Sequence, residues 1–186
     1  MKSLRFMLSV VAMSLSTLTF AESNAQKPVT QSDAQKSFTQ LKTLAGSWQG
    51  RVTVDPPQPD MDKPISISLR VTSRGNAIVH DMHELGVPDD PTRYDHPLTM
   101  VYLDGDHLTL VHYCDAGNRP RMVARKSADG KTVEFDFVDL SGSTQYGHMH
   151  HAVFTAIDAN HHTEDWTYMM PGDKPMHAHF DLHRKD

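Results

Sequence analysis

The stretch Leu108-Thr-Leu-Val-His-Tyr-Cys-Asp-Ala-Gly-Asn-Arg-Pro-Arg-Met122 alternates side chains with period two and then runs into turn chemistry. That period marks a strand, and it puts Leu108, Leu110, His112 and Cys114 on one face. Upstream, Leu98-Thr-Met-Val-Tyr-Leu-Asp-Gly reads as the other arm of a hairpin. A two-residue turn at Asp104-Gly105 predicts Val101 opposite Leu108 and Thr99 opposite Leu110, which makes this the core face. His112 and Cys114 continue it. They are either a buried histidine beside a small apolar cysteine, or a pair of ligating groups. The run from Asp115 to Arg121 carries the guanidinium groups of Arg119 and Arg121 beside the strand end, where they hold an anion or stay solvated.

The same pattern extends in both directions. Ser32-Asp-Ala-Gln35 matches a capping box, and Phe38, Leu41 and Leu44 follow at helical spacing before Gly46, so one short helix is predicted from Asp33 to Ala45. Strands are predicted over Trp48 to Val54, Ile65 to Val71 and Ala77 to Glu84, with Ile65, Ile67, Leu69 and Val71 inward, and His80 siding with Ile78 and Met82. Pro56 to Pro64 and Val87 to Pro97 read as loops. Met122 to Lys126 and Thr132 to Val138 form a second hairpin around Asp129-Gly130, with Val133, Phe135 and Phe137 inside. Gly147 to Ile157, His162 to Met169 and Met176 to Arg184 complete the set. Short strands between turn signals, with one helix at the start, predict an all-β antiparallel barrel.

Met1-Lys-Ser-Leu-Arg, an apolar run from Phe6 to Phe20, and Ala21 have the pattern of a cleavable secretory signal, followed by a polar, disordered lead over residues 22 to 31. This predicts a periplasmic or secreted chain without a membrane anchor, folded as one domain over residues 32 to 186. Without Lys2 and Arg5 the chain holds 16 basic against 23 acidic residues, a net charge of −7 that disfavours nucleic acid as a partner. The lone Cys114 cannot form an intrachain disulfide. All 13 histidines lie beyond the signal, and this enrichment is the main compositional clue to chemistry.

Leu44-Ala-Gly-Ser-Trp48-Gln-Gly resembles the Gly-x-Trp opening of the lipocalin and fatty-acid-binding-protein superfamily. That resemblance implies a first-strand tryptophan packed on a last-strand arginine, for which Arg184 is placed. More specifically, the chain resembles a family of uncharacterised secreted bacterial lipocalin-like proteins through Leu41-Lys-Thr-Leu-Ala-Gly, Tyr102-Leu-Asp-Gly-Asp, His112-Tyr-Cys, Gly117-Asn118, Pro120-Arg-Met and Gly147-His-Met-His. Arg119 departs from the family's usual glutamine and His80 from a common glutamate, which implies an altered polar pocket. The resemblance brings no settled reaction with it.

His148-Met-His150 repeats the spacing of His112-Tyr-Cys114. If both pairs face inward, three imidazoles and a thiolate form a set that zinc or copper accepts. The facing of residues 148 to 157 stays open, since Ala152 and Phe154 lie with His148 and His150, while Val153 and Ile157 lie with Met149. His80, Asn118, Arg121 and Trp166 are the candidate residues around a small organic ligand, Trp166 and Tyr168 share a face on which a flat molecule can stack, and heme is a further cofactor candidate. His177 and His179 are expected to face solvent, and His161 and His162 to sit in a turn. There is no Gly-x-Ser-x-Gly elbow or phosphate loop. His112 and Cys114, about 6.5 to 7 Å apart along a strand, are too far for a nucleophile and its base. An exported binding barrel whose His/Cys-lined pocket takes a transition metal is therefore the leading expectation, with an organic-ligand or heme carrier, or a metal-dependent enzyme, as the alternatives.

Overall fold

The computed structural model describes residues 30–125 and 129–185. The expected signal, most of the polar lead and the end of the strand drawn to Lys126 lie outside the described residues. Helix α1 (Asp33–Thr43) starts at a capping box, with Ser32 accepting from the Gln35 backbone and the Gln35 side chain accepting from the Ser32 backbone. It buries Phe38 and Leu41. Among the described residues no helix is long and apolar enough to cross a membrane.

Ten strands follow among the described residues: β1 (Gly46–Asp55), β2 (Lys63–Thr72), β3 (Ala77–Glu84), β4 (Leu98–Asp104), β5 (His107–Tyr113), β6 (Asn118–Ala124), β7 (Thr132–Gly142), β8 (His148–Asp158), β9 (His161–Met170) and β10 (Lys174–Arg184). Each pairs antiparallel with the next, and β10 returns to β1, which closes the barrel and leaves no edge. The inward side chains form one cluster with Phe38, Leu41 and Leu44 of the helical segment, which also holds Trp48, Ile67, Leu110, Phe135, Phe154 and Leu182.

Closure is fixed where Trp48 pairs with Arg184 in register. The Arg184 guanidinium lies 4.2 Å over the Trp48 ring and donates to Ala45 O, while the indole N–H donates to Leu44 O at 2.8 Å. Gly46 has to be glycine: its φ is +144°, and a Cβ would sit 2.2 Å from Arg184 Nη1. The Gly-x-Trp opening is thus a steric consequence of stacking arginine on tryptophan.

Two sequence expectations shift. The first hairpin turns at Gly105-Asp106, with Gly105 at φ +57°, so Leu103 faces Leu108, Val101 faces Leu110 and Thr99 faces His112. A slip of two residues keeps every side chain on its expected face. Val71, expected inside, is 37% exposed; it is the penultimate residue of β2, beside the short 3-10 turn Ser73–Gly75.

Candidate functional site

Inside the barrel, two regions along the strands differ in how their polar groups are satisfied. At the end covered by the helix, alternation along β9 carries His162, Glu164 and Trp166 inward together, and β3 brings His80 across. Glu164 is completely buried and takes four hydrogen bonds. His80 Nε2 lies 3.1 and 3.0 Å from its two oxygens, His162 Nε2 donates to Oε1 at 3.1 Å, and the Trp166 indole donates to Oε2 at 3.0 Å. Burial alone would raise the carboxyl's pKa, but the His80 charge and the histidine hydrogen bonds overcome it and hold Glu164 ionised. Burial likewise pulls His80 down, yet Glu164's charge and hydrogen bond outweigh that and raise it. The result is a buried ion pair with both oxygens satisfied, which makes so expensive a burial tolerable. His162 also meets Trp48 edge-on at 4.2 Å, linking the pair to the closure point.

Farther along the same strands the barrel holds a cavity of about 530 Å³. Its wall is largely apolar, with Ile65, Met82, Met149, Trp166, Met176 and Phe180, and its polar groups include His112, Cys114 and Tyr168. Trp166 joins the two regions, because the carboxylate that fixes its indole lies at the closed end while its ring forms part of the cavity wall. His112 packs 5.4 Å from that ring. Its Nδ1 pairs with Thr99 Oγ1 at 2.8 Å, and its Nε2 is buried with no hydrogen-bond partner. Burial, reinforced by the nearby His80 charge, drops its pKa to about 3, so the ring is neutral at pH 7. Whichever tautomer forms, Nε2 keeps one unused group, an N–H or a lone pair, on a residue that lines the cavity.

Cys114 lies half-buried on the same cavity, on the face expected from its spacing to His112. Burial pushes its thiol up, with Asp115 and Asp95 adding to the effect, so it is a protonated, weak donor at neutral pH rather than a thiolate. Tyr168 is held by donation from its hydroxyl to Tyr146 O at 2.8 Å. At the mouth Lys63 and Glu84 pair at 2.8 Å.

The other sequence candidates are placed differently. Between Met149 and His151 the pairing of β8 with β9 shifts by one residue, a bulge that swaps the faces of the strand. Ala152 and Phe154 are buried beyond the bulge, while before it Met149, and not its histidine neighbours, lines the cavity. His148 Nε2 lies 3.2 Å from His150 Nδ1, and both rings pack on Phe137. The four residues His112, Cys114, His148 and His150 do not gather into one cluster; the groups whose ligating atoms lie within 4.8 Å are others, each with at least one carboxylate. Asn118 is buried as a strut, its amide donating to Ser143 O and Gly147 O. Arg121 pairs with Asp139 and does not reach the cavity. His80 belongs to the ion pair, and among the ligand candidates Trp166 alone lines the cavity.

Sequence reasoning missed His162 and Glu164. The turn is only Ala159-Asn160, so β9 already runs at His161, and His162 is fully buried instead of in the turn. The signal was present, since counting back in twos from Trp166 reaches Glu164 and His162. His177 and His179 are exposed as expected.

No protein-family profile and no curated protein matches this chain. Among solved structures, Rv2717c from M. tuberculosis is similar with a TM-score of 0.60 and 15% identity, over 81% of this chain and 98% of that one. A protein of unknown function from the DUF3598 family of Nostoc punctiforme is similar with a TM-score of 0.49 and 8% identity, over 78% of this chain and 49% of that one. The likeness to Rv2717c concerns the barrel fold alone.

Proposed function

We propose that this protein is an exported barrel that binds a small, mostly apolar molecule, which lies against Trp166 and presents one polar atom to His112. The observation that carries the reading is the buried, unpartnered His112 Nε2 on a cavity with apolar walls. An unsatisfied buried polar group costs about 1 to 3 kcal/mol, and a ligand atom that meets it recovers that cost on binding. The cavity is within the range of about 300 to 1,000 Å³ typical of small-molecule sites. The ring is neutral, so it recognises a hydroxyl or carbonyl oxygen rather than demanding an anion. The apolar run after Lys2 and Arg5 supports export, and the mass of the protein isolated from a bacterial envelope checks it: loss of residues 1–21 is expected, and an intact Met1 would refute cleavage.

The binding test uses two probes of one size, 1-naphthol and 1-methylnaphthalene, titrated by calorimetry. Wild type should prefer the naphthol by about 5- to 10-fold, the worth of one net hydrogen bond of about 1 kcal/mol or slightly more. His112→Leu should bind the two alike. Equal affinities in wild type, or no binding of either probe, would overturn the reading.

The metal expectation carries over in one form. If Nδ1–H donates to Thr99, Nε2 offers a single lone pair, which suits the axial position of a heme iron better than a four-ligand zinc or copper site. A Soret shift on adding hemin, lost in His112→Ala, would favour this second reading over the organic ligand.

A further inference from the structure

The loop from Leu85 to Pro97 folds back on the outer face of β3. There Asp81 and His83, two residues apart and so on one face, meet His96 from the loop. His96 Nε2 lies 2.7 Å from Asp81 Oδ1, its Nδ1 lies 3.5 Å from Asp89 Oδ1, and its backbone N–H donates to Asp115 at 3.2 Å. The His83 and His96 rings are tilted together at 5.4 Å between centroids. One ligating atom from each of Asp81, His83 and His96 falls within 4.8 Å of the others.

We propose that Asp81, His83 and His96 form a binding site for a divalent transition metal of the zinc class at the rim of the cavity. The independent sign is that His83, one of the three, keeps a ring nitrogen, Nδ1, buried without any hydrogen-bond partner. A buried imidazole nitrogen left unpaired beside a carboxylate and a second imidazole is accounted for by a cation that all three share. Two imidazoles and one carboxylate are a recurrent three-ligand set for zinc and leave a fourth position open. His83 and Asp95 also line the cavity, so that position lies near the mouth through which a ligand would enter. The bound metal would clamp the loop to β3.

Two other groups have the right composition and the wrong surroundings. Glu134, Asp136 and His151 share Arg125, which pairs with both carboxylates and already supplies the positive charge. His161, Asp181 and His183 lie on the outer surface, with both imidazoles turned to the one carboxylate and no orphaned nitrogen.

This inference stands apart from the ligand reading at His112, and the experiment separates them. Tag-free full-length protein, stripped with a chelator, is titrated with zinc by calorimetry and with cobalt(II) by visible absorption. One equivalent should bind, with cobalt giving the intense visible bands of a low-coordinate site with nitrogen ligands. His83→Gln and His96→Gln should each weaken uptake by at least the roughly 10- to 100-fold that loss of even an outer-shell partner costs. His112→Leu and His183→Gln should leave it unchanged. Zinc should raise the melting temperature of wild type but not of the two glutamine variants, a comparison within each protein that does not depend on their starting stabilities. No uptake by wild type, undiminished uptake in a His83→Gln/His96→Gln double variant, or loss of uptake in His183→Gln would overturn the site.

Discussion

The closed end of the barrel and its cavity contain the same kinds of group, imidazoles and a tryptophan among apolar walls, and they differ in bookkeeping. At the closed end Glu164 accepts from three side chains, His80 bridging both of its oxygens, and its charge is balanced by His80. In the cavity His112 has one partner and a bare nitrogen. His162 Nδ1 at the closed end is also without a partner, but its residue sits in the packed core, whereas His112 belongs to the wall of a cavity that a ligand can enter. Burial alone did not separate the two, since His80 and His112 are both almost fully buried.

The largest effect that tests this contrast is at the closed end. Glu164→Leu removes the acceptor of three side chains and leaves His80 buried with no counter-charge. Breaking one side of a buried pair typically costs about 3 to 5 kcal/mol, which is the loss expected in urea unfolding at pH 7. A loss below about 1 kcal/mol would mean that the network is not what holds this end.

Much of this was readable in the sequence, and the failures have physical causes. Alternation along β2, β5 and the first half of β7 placed Ile65, Ile67, Leu69, Leu108, Leu110, His112, Val133 and Phe135 correctly because the pairing runs without a shift through those positions, while Phe137, also expected inside, falls where β7 shifts against β6 and is half-buried. Trp48 and Arg184 could be paired because close stacking demands a glycine beside it, and Gly46 is visible in the chain. The facing of His148 and His150 stayed open in the sequence because a bulge changes the period by one residue and leaves no compositional trace. The approach of His96 to β3 was invisible for a different reason: a loop has no period, and its return to the sheet is set by tertiary contacts with Asp81 and Asp115.

An intermediate effect is expected from acid. His112 keeps its proton off down to about pH 3 when folded, while in the unfolded chain it titrates near 6.5. Between those values the unfolded state binds more protons, so the stability tied to neutral His112 is complete above about pH 6.5 and is lost as the pH falls toward 3. At pH 5 the loss is about 2 kcal/mol relative to neutral pH. His80 works in the opposite sense. Its raised pKa gives stability that is present below 6.5 and fades as the pH rises through its folded value. The comparison that isolates His112 is between wild type and His112→Asn, measured by urea unfolding at pH 7.5 and pH 5. Wild type should lose about 2 kcal/mol more than the variant on acidification. Equal losses would place the His112 proton affinity near its ordinary value and remove the argument for a neutral ring.

The smallest effect on stability is the sharpest test of the contrast between the two ends. Replacing a buried hydrogen-bonded pair by apolar groups of similar shape is close to neutral, because both desolvation costs disappear together with the bond. Thr99 and His112 are such a pair, with the further cost of an unmet Nε2. The double variant Thr99→Val/His112→Leu should therefore unfold within about 1 kcal/mol of wild type, or at a slightly higher denaturant concentration. Thr99→Val alone should be worse than the double, since it leaves the imidazole with neither nitrogen paired. At the same time the double variant should lose the preference for 1-naphthol over 1-methylnaphthalene. Stability kept while recognition is lost is the signature of a group retained for binding. If the double variant instead falls by about 3 kcal/mol or more, the pair is part of the framework, as Glu164 is, and the cavity has no polar group reserved for a ligand.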